Sequence, residues 1–431
     1  MRFIFLSILL LICFHVNGQN LLTLEQAKIV TLENNFGIKI AENNVDIAKN
    51  QTDKSVNGYL PTVSATGGLN GNFGGSSQQF NNGQEASTSN AITWGANASV
   101  NADYTIFDKR RDLTLDQLKE SLNLSNLQLR QSIEQNLLQV YNDYYQLALF
   151  QENENVLMES MSISQERFRR AKYQLEYGQG TGLNVLNAEV DIKRDSVNLL
   201  NARMQVANQK RNLNVAMGRN SSEQFNIEAI TSINEDLQLE VLVTGAITDN
   251  INLQIFRQNL AVNELQLGII EAERKPTISA GASYDFNYSD NPPGAFINQS
   301  NARGLAANVR VNWTLYDGSR DIRKQNVAIN LSTQKLQIDE LEQQLERDII
   351  NAWANYQNAR FVLEVEESAV ETNKENFTRT EEQVKIGRLS SIEFRQAQLN
   401  LINAQTSLNN AQLNAKLAEI QLLALVGDLI E

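Results

Sequence analysis

The side chains that most often carry covalent or metal chemistry sit in one short stretch of this chain. Its 431 residues include one cysteine, Cys13, and one histidine, His15. Both lie in "MRFIFLSILLLICFHVNGQN", where Arg2 precedes an apolar run from Phe3 to Cys13 and Val16-Asn17-Gly18 offers small or apolar cleavage positions. That is the layout of a secretory signal, so residues 1–18 are expected to leave and the mature chain to begin at Gln19. Acylation of Cys13, the lipoprotein alternative, is disfavoured by bulky Ile12 beside it. A chain without thiol or imidazole cannot build Cys/His metal sites or Ser-His and Cys-His nucleophile pairs. Only carboxylates, Lys and Tyr remain for acid/base work. No catalytic, cofactor-binding or metal-binding residue is assigned, and an enzyme is not expected. A net charge of −13 also makes nucleic acid a poor partner.

The remaining candidates make contacts rather than bonds. "EYGQGTGLN" brings Gly178, Gly180, Thr181 and Gly182 together, and "IGRLSS" does the same with Gly387, Arg388, Leu389, Ser390 and Ser391. Each reads as a helix-to-helix turn that needs positive φ; an exposed Arg beside an exposed Leu also suits a partner. Lys109, Arg110 and Arg111, and again Arg320, Arg323 and Lys324, form basic clusters. They are expected either to meet phospholipid headgroups or to pair locally with Asp112 and Asp321.

These positions are carried by a duplicated plan. Phe168, Gly178 and Gly218 align with Phe377, Gly387 and Gly427 at one constant offset, and "PTVSA" at Pro61 aligns with "PTISA" at Pro276. Each copy holds two strands of period two. Val63, Ala65, Leu69 and Phe73 alternate with polar residues, as do Trp94, Val100, Ala102, Tyr104 and Ile106. In the second copy Ile278, Ala280, Ala282, Tyr284, Phe286 and Tyr288 do so, then Ala307, Val309, Val311, Trp313 and Leu315. "GGSSQQFNNGQEASTSN" and "SDNPPGAFINQSNAR" read as polar loops between strands.

The rest reads as helix. Asp108–Tyr177 and Ser319–Ile386 lack Gly and Pro over 70 and 68 residues, about 100 Å each at 1.5 Å per residue. Leu115, Leu118, Leu122 and Leu129 recur at coiled-coil steps, as do Leu331, Ile338, Leu341 and Leu345. Shorter helices are expected at Leu24–Asn57, Leu183–Met217, Ala246–Lys275 and Arg388–Val426, stacked end to end in pairs beside each long one. The expected divisions are therefore a signal (1–18), a first helix (19–58), strands (59–107), a long helix, turn and return helix (108–218), and a linker (219–245). The second copy follows with a helix (246–275), strands (276–316), another helical hairpin (317–427) and a short tail (428–431).

Four alternating strands leave two open edges, which lipid does not tolerate, and the smallest usual transmembrane barrel has about eight strands. The strands are therefore expected to pool with those of other copies. Trp94, Tyr104, Tyr284, Phe286 and Trp313 would face lipid, while Asp103, Asp285 and Arg310 would face a wet lumen.

Several local patterns, in order, resemble the TolC-like outer-membrane efflux proteins of Gram-negative bacteria. They are "LTLEQAKIVTLENNFGIK", "GYLPTVSA", "RKPTISAGASY", "LYDGSR", "YGQGTGLNVLNAEV" and "IGRLSSIEFRQAQ". The resemblance covers essentially the whole mature chain. It implies a mainly α protein with membrane β: a homotrimer with a 12-stranded β-barrel continued by a coiled-coil α-helical barrel in the periplasm. It implies docking of both turns to a periplasmic adaptor (membrane fusion) protein, and coupling to an inner-membrane pump. It further implies that side chains just past the turns narrow the tunnel, which falls here on Glu393, Gln396 and Asn184. A trimeric coiled-coil stalk in the outer membrane is the alternative, and it would conduct nothing.

Overall fold

The computed structural model describes residues 21–228, 233–234, 237–291 and 297–429. The expected signal segment with Cys13, the two prolines Pro292 and Pro293, and the last two residues lie outside the described residues. The elements run β1 (Leu21–Leu22), α1 (Leu24–Asn34), α2 (Phe36–Gln51), β2 (Thr62–Gln79), β3 (Glu85–Phe107), α3 (Lys109–Glu176) and α4 (Gly182–Ala216). They continue with β4 (Asn226–Ile227), α5 (Leu239–Asp249), α6 (Ile251–Ala272), β5 (Thr277–Asp290), β6 (Gln299–Asn312), α7 (Gly318–Lys385) and α8 (Ser391–Val426). The chain divides into two compact units. One comprises Met1–Asn43, Leu127–Ile255 and Ile338–Glu431, the other Asn44–Asn126 and Phe256–Gln337.

The second unit contains a four-stranded antiparallel sheet in the order β2-β3-β5-β6. Its register sorts side chains by polarity. Ala65, Val100, Tyr284 and Leu305 stand in one row across all four strands, and Val63, Ala102, Ala282 and Ala307 in the next on that face. Thr62, Asp103, Gly281 and Asn308 make a row on the other face. Directly opposed residues share a face, so the alternation within each strand becomes one apolar and one polar surface.

The strands differ from expectation in four places, one of them in the second copy, where β5 reaches Asp290 and β6 begins at Gln299, both inside the stretch read as a loop. β2 and β3 run deep into the stretch read as a loop, leaving only a turn at Phe80–Gln84, where the Phe80 amide donates to the Gln84 carbonyl (2.8 Å). A ladder is held by backbone groups, so loss of apolar alternation does not end it. A bulge between Thr105 and Phe107 takes Ile106 out of the alternation, and Phe107 faces Ile278 instead. β6 stops at Asn312, short of Trp313 and Leu315.

The first unit is helical around a small parallel pair, β1 with β4. Its core gathers Leu22, Val140, Tyr144, Leu147, Leu213, Met217, Phe225 and Ile420. The Tyr144 hydroxyl donates to the Leu22 carbonyl (3.1 Å). The single helix expected over Leu24–Asn57 is broken at Asn35 and ends at Gln51. Asn35 Oδ1 accepts from the amides of Gly37 and Ile38 and so starts α2 afresh, while its Nδ2 donates to the Ala216 carbonyl at the end of α4 (2.7 Å). Asn250 repeats the device: Oδ1 accepts from the Leu253 amide and Nδ2 donates to the Leu425 carbonyl (2.9 Å). The short helices do meet end to end, through these two asparagines. α5 begins at Leu239, inside the expected linker.

Candidate functional site

The two hairpin turns are built alike. Just past the end of α3 stands Gly178 (φ 71°), and just past the end of α7 stands Gly387 (φ 75°). The Gln179 amide reaches back to the Gln174 carbonyl (2.7 Å) and the Arg388 amide to the Gln383 carbonyl (2.9 Å). These bonds satisfy carbonyls that a helix end leaves free. Thr181 then caps α4 by accepting from the Asn184 amide, and Ser390 caps α8 by accepting from the Glu393 amide. Gly180 sits tight, since a Cβ there would come within 3.0 Å of Gln174, whereas Gly182 is in open space. Leu389 is half-buried, and Tyr177, Leu183, Ile386 and Ile392 stand exposed around the turns.

Of the three expected constriction residues, Asn184 and Glu393 occupy the same cap position in the two repeats. Glu393 does more: its Oε2 accepts from the Ser390 amide (2.8 Å) and hydroxyl (2.7 Å), completing a capping box. Those two bonds, the backbone one first, hold the carboxyl below its ordinary value of 4.5. Mutual repulsion in a ring would push the other way; within one protomer the pull is downward. Gln396 is exposed and donates to Asn400 Oδ1 (2.8 Å).

Close by is a cluster that pattern reading missed. Arg395 grips Asp195 with both terminal nitrogens, Nη2 to Oδ1 at 2.7 Å and Nη1 to Oδ2 at 2.9 Å. The Ser164 hydroxyl donates to the same carboxylate (2.6 Å), and Gln398 bonds to Arg395 and Ser160. Arg167 pairs with Asp191 (3.0 Å) and donates from Nη2 to the Ser391 carbonyl and hydroxyl. Two arginines and two aspartates thus tie α8 to α3 and α4.

The sheet places Trp94, Tyr104, Tyr284 and Phe286 on its apolar face. That face is bare: Leu69 is 87% exposed and Leu305 79%. Trp313 falls just past β6, and its indole N–H donates to the Arg274 carbonyl (3.0 Å). On the polar face, asparagines fold over facing glycines. A Cβ at Gly68 would lie 2.8 Å from Asn97 Oδ1, and one at Gly95 2.6 Å from Asn70 Oδ1. Asp103, Asp285 and Arg310 share that face.

The basic clusters pair locally, though not with the expected acids. Arg110 binds Asp108, Arg323 binds Glu273 and Asp317, and Lys324 binds Glu271. Arg111 donates to the carbonyls of Gly58 and Thr105 and lies 4.0 Å over the Tyr59 ring. Asp112 accepts instead from the Tyr59 hydroxyl, and Asp321 pairs with Arg274. Among the described residues no group of His, Cys, Asp and Glu could hold a metal ion, and no helix is long and apolar enough to cross a membrane.

Comparison with solved structures places this geometry. The chain is similar to the outer-membrane channel OprN at 15% identity, over 94% of this chain and 90% of that one, with a TM-score of 0.72. It is similar to the Campylobacter jejuni CmeC outer membrane channel at 14% identity, over 94% and 85%, with a TM-score of 0.71. For the open state of the Neisseria gonorrhoeae MtrE outer membrane channel the figures are 17%, 94%, 89% and 0.66. No protein with a curated description matches the sequence. The pattern of the outer membrane efflux protein family matches residues 30–219 and 242–428, one segment for each repeat. With both strand pairs and both helical hairpins inside those segments, the chain belongs to the outer membrane efflux protein family.

Proposed function

We propose that three copies of this outer-membrane channel protein pool their strands into one 12-stranded barrel and form the exit duct of a tripartite efflux or type I secretion system. The duct receives substrate from an inner-membrane pump through a periplasmic adaptor that docks at the two hairpin turns. The observation that carries this reading is the sheet. One face is bare and mainly apolar, with Asn301 and Arg303 of β6 as polar exceptions, the other is polar, and among the described residues two edges are open. Lipid suits the first face and water the second, and only closure with other copies removes the edges. Conduction is passive: no residue is assigned to bond-making. A purely structural trimeric stalk would share the helices but has no use for a polar inner face.

The deciding experiment measures the mass of the detergent-solubilised protein and its conductance in a planar bilayer. A trimer that conducts supports the duct. A trimer that never conducts, under any applied potential, supports the stalk.

A further inference from the structure

The strand-to-helix junction occurs twice, so one copy can be read against the other. Asp108, Arg111 and Asp112 lead into α3 as Asp317, Arg320 and Asp321 lead into α7, and Tyr59 stands two residues before Pro61 as Arg274 stands two before Pro276. The arginine of the first copy is occupied. Arg111 Nη1 donates to the Gly58 and Thr105 carbonyls (2.9 and 2.7 Å), its guanidinium lies 4.0 Å over the Tyr59 ring, and the Tyr59 hydroxyl donates to Asp112 (2.8 Å).

The second copy keeps this frame and changes its filling. Arg274 takes the place of Tyr59 and still reaches the aspartate, Nη2 to Asp321 Oδ1 at 3.1 Å. A second guanidinium therefore stands where the first copy has a ring. Arg320 is buried, with its side chain 7% exposed, but among the described residues its guanidinium donates no hydrogen bond. Its carboxylate neighbour, Glu273, lies 3.8 Å from Nε and also pairs with Arg323. Nε lacks a hydrogen-bond partner in both copies; the difference is Nη1, which two carbonyls take up in Arg111 and none takes up in Arg320.

A buried charge left without hydrogen bonds is costly, and the surroundings leave room to relieve it. Arg274 and Arg320 line a recess of about 260 Å³ together with residues 313–317 and Asp321. Beside it Trp313, Leu315 and Tyr316 are 58, 78 and 85% exposed. β6 ends at Asn312 and α7 begins at Gly318, so the recess stands where the sheet gives way to helix.

Resting on the reading that the apolar face of the sheet meets lipid, we propose that this recess holds the phosphate of a phospholipid from the inner leaflet of the outer membrane. The phosphate accepts from Arg320 and Arg274, and the acyl chains run along Trp313, Leu315 and the apolar face of β6. Guanidinium forks match phosphate oxygens, and Trp and Tyr favour the headgroup level. A free phosphate would make no use of the apolar rim. Asp317 and Asp321 also line the recess and would repel an anion, but both are already bonded. Asp317 accepts from Ser319 and Arg323, and Asp321 accepts from Arg274. Both side chains of the Arg274–Asp321 pair are 62% exposed, and so exposed a pair is weak enough to share its guanidinium.

The test counts lipid on the purified full chain in an uncharged detergent, by native mass spectrometry, after addition of phosphatidylglycerol, whose only charge is its phosphate. The unsubstituted protein is expected to retain one phosphatidylglycerol per chain. Arg320→Gln and Arg274→Gln should each weaken that binding about tenfold or more, as loss of a hydrogen bond to a charged group does. Arg274→Gln alters an exposed side chain, so it carries the test if Arg320→Gln fails to fold. Lys109→Gln, at the first copy's junction, should change nothing. Unchanged retention in both arginine variants would overturn the site, as would an equal loss in Lys109→Gln, which means diffuse attraction to basic surface. Inorganic phosphate, added alone and in competition, separates the sources: binding as tight as that of the lipid, with the same dependence on Arg320, would overturn the lipid. Lipid-free trimers that fall apart on Arg320→Gln would mean that a neighbouring copy fills the recess, and would overturn it too. The mass of the unsubstituted protein keeps this apart from the shared barrel. A monomer that retains its phosphatidylglycerol removes the barrel and leaves the site, whereas a trimer that retains none removes the site alone.

Discussion

Arg395 and Asp195 meet in a two-point ion pair that joins the return helix of the second repeat to that of the first, with their side chains 9% and 5% exposed. Both charges have left water, and each is compensated chiefly by the other; Ser164 and Gln398 add hydrogen bonds, while Arg395 Nε has no hydrogen-bond partner and lies 3.5 Å from Asp191 Oδ1. Such a pair adds little over an apolar contact, but losing one member strands the other. Asp195→Ala should therefore destabilise the helical unit by about 3–5 kcal/mol, read as a fall in the thermal midpoint. Asp195→Leu with Arg395→Met should recover most of that loss. Equal losses in the single and double variants would mean that the charges are not coupled.

Glycines with similar backbone angles should differ in cost. Gly178 and Gly218 have φ of 71° and 72°. A Cβ at Gly178 meets nothing within 4 Å, whereas at Gly218 it would lie 2.4 Å from the Asn34 carbonyl oxygen. Gly178→Ala should cost about 1–2 kcal/mol, the price of a left-handed alanine. Gly218→Ala should cost clearly more, because α1 and α4 must part. Denaturant midpoints of the two variants check this, and equal shifts would contradict the close approach.

The Gly218 junction also marks where sequence reasoning stopped. The strands, the long helices and the duplication were legible because each leaves a periodic trace. The break at Asn35 was not, because it depends on one side chain capping α2 while reaching a carbonyl 181 residues away. The extension of β2 to Gln79 was hidden because its polar end keeps the ladder without the pattern. The turns were found from their glycines, and Thr181 and Ser390 sit in them as caps. The Arg395–Asp195 pair was invisible, since nothing in either segment names a partner 200 residues off.

The two faces of the sheet should tolerate different residues. Val311 lies on the apolar face, paired with Ile278; Asn312 lies on the polar face, paired with Thr277. Val311→Arg should cost about 2–4 kcal/mol if that row sits near the bilayer midplane, and Asn312→Arg much less. Refolding of each variant into lipid vesicles measures the difference. Equal penalties would mean that the faces have been assigned to the wrong media.

If the turns dock an adaptor, reporters must be placed where they do not disturb the caps. Thr181 and Ser390 accept the capping bonds, and Ser391 accepts from Arg167. Gln179→Cys and Arg388→Cys avoid all three. Both should crosslink to an adaptor in intact cells, while a cysteine at Gln84, in the strand turn, should not. Crosslinking from Gln84 alone would place the adaptor at the other end of the chain's path.

Glu393 has two assignments that a single substitution separates. As the cap residue it needs an acceptor that reaches Ser390, which Gln also provides; as part of a constriction it needs charge. Glu393→Gln should leave the thermal midpoint nearly unchanged while weakening block by divalent cations. The pH dependence has a definite sign. The folded carboxyl lies below 4.5 because it accepts from Ser390. Its contribution to stability is therefore fully present above the ordinary carboxyl value and is lost only as pH falls through the lower folded value. Divalent block should accordingly persist from about pH 7 to about pH 5 and fade only in stronger acid. Block that fades between those two values would show that repulsion within a ring outweighs the Ser390 bonds. Block that is identical in Glu393→Gln would leave Glu393 a cap and nothing more.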